Sequence, residues 1–294
     1  TIIDENLINK EYIENHTEGF KQLEKEIKKF DPAVMEKLCG IPKELIREVA
    51  KIYAKAKTSI IFWGMGISQH IHGTQNAFSL INLSLITGHL GKSGTGLHPL
   101  RGQNNVQGAS DAGLIPMSFP DYNPVKIKTN NEKMQKFWNS SLDLNEGKTV
   151  VEIIKGINSD EIKGLYVQGE NPAMSDPDLT HTRKALAKLD HLVVQDIFMT
   201  ETAWFADVIL PASAHAEKLG TYTNTNRQVQ IGRNVVNPPK GVKQDWWIIQ
   251  EIAKRMGLNW NYTSPKEIFN EMKLIMPSLN NISWERLEKD NYVT

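Results

Sequence analysis

Gly164-Leu165-Tyr166-Val167-Gln168-Gly169-Glu170-Asn171-Pro172 opens the part of the chain whose pattern decides the fold. A short apolar run ends at glycine, and Pro172 fixes the backbone where the next element can begin. A helical pattern over 180–189 follows, and Leu192-Val193-Val194-Gln195-Asp196 then reads as a second strand. Asp207-Val208-Ile209-Leu210, ended by Pro211, reads as a third. Strands alternating with helical stretches predict an α/β fold: a parallel sheet covered by helices on both faces.

Working outward, residues 4–57 carry helical periodicity: Phe20, Leu23, Ile27 and Phe30, then Leu45, Ile46, Val49, Ile52 and Tyr53. Gly40-Ile41-Pro42 separates the helices, and Pro42 suits the start of a helix over 43–56. Ser59-Ile60-Ile61-Phe62-Trp63 reads as a buried strand feeding the glycine turn Gly64-Met65-Gly66, with a helix over 76–87 closed by Gly88. Residues 113–147 turn to Pro, Asn and Lys and predict irregular chain with one short helix. A helix is expected over 150–157, an extended polar stretch from 216 to 236, and helices over 244–256 and 265–275.

The bulk properties exclude several functions. Thirty-four basic residues balance thirty-four acidic ones, so no global field attracts nucleic acid or an anionic membrane. No run approaches the ~20 apolar residues of a membrane span. Cys39 is the single cysteine, which rules out an internal disulfide and any cluster ligated wholly by thiolates of this chain. It reads as an inert buried thiol at a helix end. His70 and His72 have no evident third partner, so no metal ligands are assigned. A cytoplasmic location is the expectation.

In a parallel α/β sheet, ligands gather at the carboxyl ends of strands, so the turns there carry the candidate chemistry. Gly64-Met65-Gly66-Ile67-Ser68-Gln69 begins like a dinucleotide fingerprint, but Gln69 stands where a third glycine belongs and no acidic residue follows at ribose spacing. That argues against an NAD site and leaves open a backbone approach to phosphate. Asn171 and Ser175 fit either polar contacts to a ligand or an Asx-type turn opening the next helix. Gln195 and Asp196 fit either helix caps or the reading of a nucleobase edge. Asp245, before Trp246-Trp247, fits either a first-turn helix charge or a carboxylate accepting from a purine's N–H groups. Pro99-Leu100-Arg101-Gly102-Gln103-Asn104-Asn105-Val106-Gln107-Gly108 combines one cation with four carboxamides and two glycines. It reads as a loop that grips something polar, with the Arg101 fork able to pair a carboxylate or phosphate.

Together these segments resemble the molybdenum- or tungsten-bis(pyranopterin guanine dinucleotide) oxidoreductases, specifically formate dehydrogenase α subunits. The turn at 64–69, the stretches 80–96, 99–113, 168–172 and 194–200, then 206–211 and Gln244-Asp245-Trp246, match in order over nearly the whole chain. Arg-Gly-Gln-Asn-Asn-Val-Gln-Gly is the most specific part, and Ala-Ser-Asp-Ala-Gly-Leu-Ile-Pro after it resembles the NAD-linked cytoplasmic branch. The resemblance implies Rossmann-like lobes of three layers. It implies that Arg101 orients formate, that Gln103 contacts a pterin, and that Gly66 and Gln69 line one pyranopterin dinucleotide. Asn171, Ser175, Gln195 and Asp245 correspond to positions that hold a guanine dinucleotide.

The family's cysteine-rich [4Fe–4S] domain, its Cys or selenocysteine metal ligand with an adjacent His, and its C-terminal domain have no counterpart in these residues. The chain is therefore expected to be the middle segment of an α subunit, and by itself unable to oxidise formate. An electron-accepting or NAD-reducing partner is implied for the whole enzyme. A relative acting on another small substrate such as nitrate, and a nucleotide-binding scaffold without redox chemistry, are the alternatives. The expected organisation is a first α/β lobe over 1–103, a second over 104–215 that binds a pterin guanine dinucleotide, and a segment 216–294 that packs on regions outside this chain, leaving exposed apolar surface.

Overall fold

The computed structural model describes residues 1–294 and divides into two units, Thr1–Gly102 and Gln103–Thr294. The first unit begins with four helices, α1 (Lys10–His16), α2 (Phe20–Ile27), α3 (Pro32–Cys39) and α4 (Lys43–Lys55). Their ends follow local chemistry. Asp31 accepts from the Ala33 amide at 2.8 Å with Pro32 behind it, and Gly40 ends α3 in the left-handed region. A strand β1 (Ile60–Trp63), a single helical turn α5 (Met65–Ser68) and a long helix α6 (Gly73–Thr87) lead to β2 (Gly96–Pro99), which pairs parallel to β1. Gly88 caps α6 at φ 70°, and a Cβ there would lie 2.6 Å from the Asn9 side chain, which itself caps α1.

The first unit's core joins Ile2, Ile13 and Ile86 with Phe20, Leu23, Ala50 and Tyr53. The periodic apolar residues divide between this core and solvent: Phe30, Leu45, Val49 and Ile52 are exposed. β1 departs from the expected buried strand, since Ile60 and Phe62 are also exposed. With a single partner strand, the two-stranded sheet has one face that no helix of the unit covers. Cys39 is exposed as well, which corrects the buried-thiol reading; it ends α3 on the solvent side.

The second unit contains α7 (Val106–Asp111), a small hairpin of β3 (Ser118–Phe119) and β4 (Asn123–Pro124), α8 (Lys128–Trp138) and α9 (Val150–Asn158). Thr149 and Glu152 form a reciprocal capping box at the start of α9. The main sheet runs β5 (Gly164–Gln168), β6 (His191–Asp196), β7 (Val208–Pro211), all parallel, in that order. The crossover from β5 to β6 carries α10 (Pro172–Ser175) and α11 (Leu179–Leu186); that from β6 to β7 holds only a 3-10 turn at Ala203–Phe205. Parallel sheets flanked by helices are the architecture the alternating pattern predicts.

Strand alternation assigns the two faces of this sheet. Leu165, Val167, Leu192 and Val194 turn toward a core with Ala173 and Leu186, beside which Ile154, Ile157 and Ala185 join α9 to α11. Tyr166 and Gln195 therefore stand on the opposite face.

Beyond Pro211 come an antiparallel pair β8 (Gly220–Thr223) and β9 (Val229–Gly232), helices α12 (Asp245–Arg255), α13 (Pro265–Ile275) and α14 (Trp284–Asp290), and β10 (Tyr292–Val293), which pairs with β9. This stretch builds a core inside the chain. Val229, Phe269, Met276, Trp284, Leu287 and Val293 pack with Met134, Phe119 and Phe137, where the sequence reading expected support from residues outside these 294. The apolar side chains of α8 and of the hairpin, hidden in a Pro- and Asn-rich stretch, are what complete it.

Helices α12 and α13 are tied through the segment between them. Gln250 Oε1 accepts from the Tyr262 amide at 2.7 Å, its Nε2 donates to the Tyr262 carbonyl at 3.1 Å, and the Tyr262 hydroxyl donates to Glu271 at 2.5 Å. Burial first, then the Glu271 hydrogen bond and charge, push the Tyr262 hydroxyl up to about 12. An unfolded tyrosine ionises near ~10. The contribution is complete below that pH and is lost as pH rises through the folded value. Urea unfolding at stepped pH should show stability falling between about pH 10 and 12 more steeply in the wild type than in Tyr262→Phe; parallel profiles would contradict the assignment.

Candidate nucleotide site and substrate loop

At the carboxyl edge of the main sheet a polar chain crosses from strand to helix. Gln195, in the central strand and without solvent exposure, accepts from the Tyr166 hydroxyl of β5 and donates through Nε2 to Asp245 Oδ1 at 2.7 Å. Asp245 Oδ2 accepts from Lys218, which lies just before β8. Asp245 is the first residue of α12, yet its side chain caps nothing; Gln244 occupies the cap position. Asp245 is the first-turn charge of α12, as one of its two readings has it, and its hydrogen bonds direct the carboxylate at the sheet edge. Burial, then the charge of Asp245, pushes the hydroxyls of Tyr166 and Tyr222 above their ordinary range.

Beside this chain lies a cleft of roughly 430 Å³ lined by Asn105, Lys218, Gly220, Tyr222, Gln244 and Asp245 among others. Two observations bear on what it fits. Asp245 has two of its four lone-pair sites engaged, leaving one on each oxygen, the number that a guanine's N1–H and N2–H require. Gly220 has no left-handed φ, and a Cβ there would meet nothing within 4 Å, so packing does not account for the missing side chain. The donor set and the open backbone fit a guanine nucleotide.

Asn171 and Ser175 behave differently. Asn171 Oδ1 accepts from the Thr202 amide at 3.1 Å and hydroxyl at 2.8 Å, and its Nδ2 donates to Glu201 at 2.6 Å. Thr202, fully buried, passes the connection on by accepting from the Ala173 amide at 3.0 Å. Asn171 thus locks the turn after β5 to the turn after β6, and its hydrogen bond holds the Glu201 carboxyl below the usual range. One amide N–H remains for a ligand. Ser175 is exposed and donates back to the Asn171 carbonyl at 3.1 Å. Asp196 caps its own turn, accepting from the Ile197 amide at 2.6 Å, so the adjacent Gln195 and Asp196 divide between two tasks.

The loop 99–108 is likewise split. Asn105, at φ 86°, accepts from the Thr223 amide at 2.9 Å, pinning α7 to β8. Gly108 is required there, since a Cβ would come 2.1 Å from Asn105 Oδ1. Gln107 is 4% exposed and donates to Asp111 at 2.7 Å and to the Tyr122 hydroxyl at 3.2 Å. These two carboxamides are structural, which corrects their reading as gripping groups; Gln103 and Asn104 face solvent. Within the first unit, the Leu100 amide donates to the Trp63 carbonyl at 2.7 Å, ending the ladder, and Arg101 follows with an exposed guanidinium that has no intramolecular partner. Gly66 and Gln69 are exposed at the carboxyl end of β1, and a Cβ at Gly66 would meet nothing within 4 Å. No three His, Cys, Asp or Glu side chains are grouped to hold a metal ion, and no helix is long and apolar enough to cross a membrane.

Residues 12–255 match the model of the molybdopterin oxidoreductase family. The chain belongs to that family. It is 49% identical over 98% of its length to the F420-dependent formate dehydrogenase subunit alpha of Methanocaldococcus jannaschii, of which it spans 43%. It is 39% identical to formate dehydrogenase H of Escherichia coli over 99% of its length, covering 41% of that protein. The chain thus spans less than half the length of these relatives. Among solved structures, acetylene hydratase from Pelobacter acetylenicus superposes with a TM-score of 0.72 over the whole chain and 43% of its own, at 20% identity, a likeness of fold.

Sequence reasoning passed over Tyr166 and Lys218. Period-two alternation could have found Tyr166, which shares the non-core face with Gln195; nothing local marks Lys218, because its partner lies 27 residues away. Asn171→Ala should lower unfolding free energy by about 1–3 kcal/mol in urea titrations, because it strands the buried Thr202 groups. Wild-type stability in that variant would remove the lock.

Proposed function

We propose that this chain is the segment of a formate dehydrogenase α subunit that holds pyranopterin guanine dinucleotide and presents Arg101 to formate. The observation that carries the reading is Arg101 itself. A guanidinium just past the carboxyl end of a parallel strand, with no carboxylate of its own chain, suits a small anionic substrate. The formate dehydrogenases similar to this chain along nearly its whole length support that substrate over nitrate, and they support an enzyme over a scaffold.

Gln195 and Asp245 would hold the guanine, with Ser175 and the remaining Asn171 N–H as further polar contacts. Gly66 and Gln69 would line a second dinucleotide, and Gln103 a pterin. When bound, the molybdenum or tungsten centre would supply the two-electron acceptor, and in the whole enzyme iron–sulfur clusters would serve as the route to an electron-accepting partner. Formate loses two electrons and a proton to become carbon dioxide. Arg101 contributes by pairing with the carboxylate, fixing its orientation and offsetting its charge.

In the full-length enzyme, Arg101→Ala should lower formate kcat/KM by on the order of 100-fold or more while metal and pterin content stay at wild-type levels. Unchanged turnover, or turnover lost together with the cofactor, would overturn the assignment. Arg101→Lys should recover only part, since a point charge lacks the bidentate fork.

A further inference from the structure

The guanine reading leaves two members of the polar chain at the sheet edge unused, Tyr166 and Lys218, and of these Lys218 lines the cleft. Its ammonium touches Asp245 Oδ2, and the two side chains are 28% and 25% exposed on the same cleft. The ammonium spends one of three donors on Asp245, and the carboxylate keeps an open lone pair on each oxygen. An acceptor and a donor therefore stand side by side at the mouth of the site.

We propose that Lys218 is a specificity-determining residue for the purine: together with Asp245 it reads the edge of the base, the ammonium donating to the C6 oxygen. This rests on the guanine reading above and adds the group that rejects adenine. Guanine presents an acceptor at C6 beside its N1–H and N2–H donors, in register with an ammonium beside a carboxylate. Adenine presents the reverse, an amino group at C6 and a lone pair at N1. It would set donor against ammonium and lone pair against carboxylate. The remaining contacts of the chain keep this pair in order. Gln195, oriented by the Tyr166 hydroxyl, holds Oδ1 from the strand side, and Lys218, bound to Oδ2 on the cleft side, keeps two donors to share with a ligand.

The probes are GDP, ADP and 6-thio-GDP, whose C6 sulfur is a poor acceptor while N1–H and N2–H are kept. Binding to the cofactor-free protein is followed by competition against a fluorescent guanine nucleotide and by calorimetry. The wild type should prefer GDP over 6-thio-GDP by roughly tenfold, Lys218→Met should bind the two alike, and Lys218→Arg should restore the preference. A preference that persists in Lys218→Met overturns the role of Lys218 and leaves the guanine reading standing. A wild type that binds neither GDP nor ADP, or binds both equally, overturns the guanine reading and the proposal with it. Circular dichroism and the retained fold of Lys218→Arg separate loss of recognition from loss of structure.

Discussion

A carboxamide with no access to water stands in the middle strand of the parallel sheet, and the sheet's carboxyl edge is organised around satisfying it. Gln195 cannot be buried without partners, because an unpaired carboxamide would cost more than its packing returns. Tyr166 on the neighbouring strand and Asp245 at the start of α12 meet that demand, and Lys218 in turn neutralises Asp245. A strand, a helix start and the approach to β8 are thereby fixed to one another by four side chains. The arrangement leaves a carboxylate preorganised, with one lone pair open on each oxygen, where α/β proteins bind ligands. The hydrogen bonds that satisfy Gln195 also hold that carboxylate in place.

Much of the fold could be read from local pattern, and the failures have physical causes. The strands ending at Trp63, Gln168, Asp196 and Pro211 follow from short apolar runs closed by polar or breaking residues, and the long helix α6 ends at Gly88 as its spacing requires. β2 escaped notice because Gly96-Leu97-His98-Pro99 has no strand-like composition; its pairing with β1 is non-local. α7 was concealed by the glycine and carboxamides of a loop that reads as irregular. The support of residues 216–294 by α8 was invisible for a different reason: Met134 and Phe137 lie in a stretch whose Asn and Lys dominate any local average. Burial of β1 was overstated because an apolar run says how much surface could be buried, and only neighbouring strands decide how much is.

The candidate site shows the same division. Residue type leaves Arg101, Gln195 and Asp245 open to either a polar site or a turn, cap or first-turn charge, and the resemblance is what singles them out. Residue type could not separate them from Asn105 and Gln107, which carry the same chemistry but spend it within the chain, on Thr223, Asp111 and Tyr122. Asn171 falls between: most of its capacity is committed to Thr202 and Glu201, and a remainder is open. The partners of Asn105 and Asn171 lie thirty or more residues away, so composition marks the candidates and the fold decides which are available.

The central claim is that Asp245 reads the N1–H and N2–H of a guanine. Replacing it by asparagine exchanges one acceptor for a donor, which should suit xanthine, whose C2 position carries an oxygen in place of the amino group. Measured by calorimetry on cofactor-free protein, the wild type should bind GDP in preference to xanthosine diphosphate, and Asp245→Asn should invert that order. An Asp245→Asn protein that keeps the wild-type preference for GDP would contradict the account.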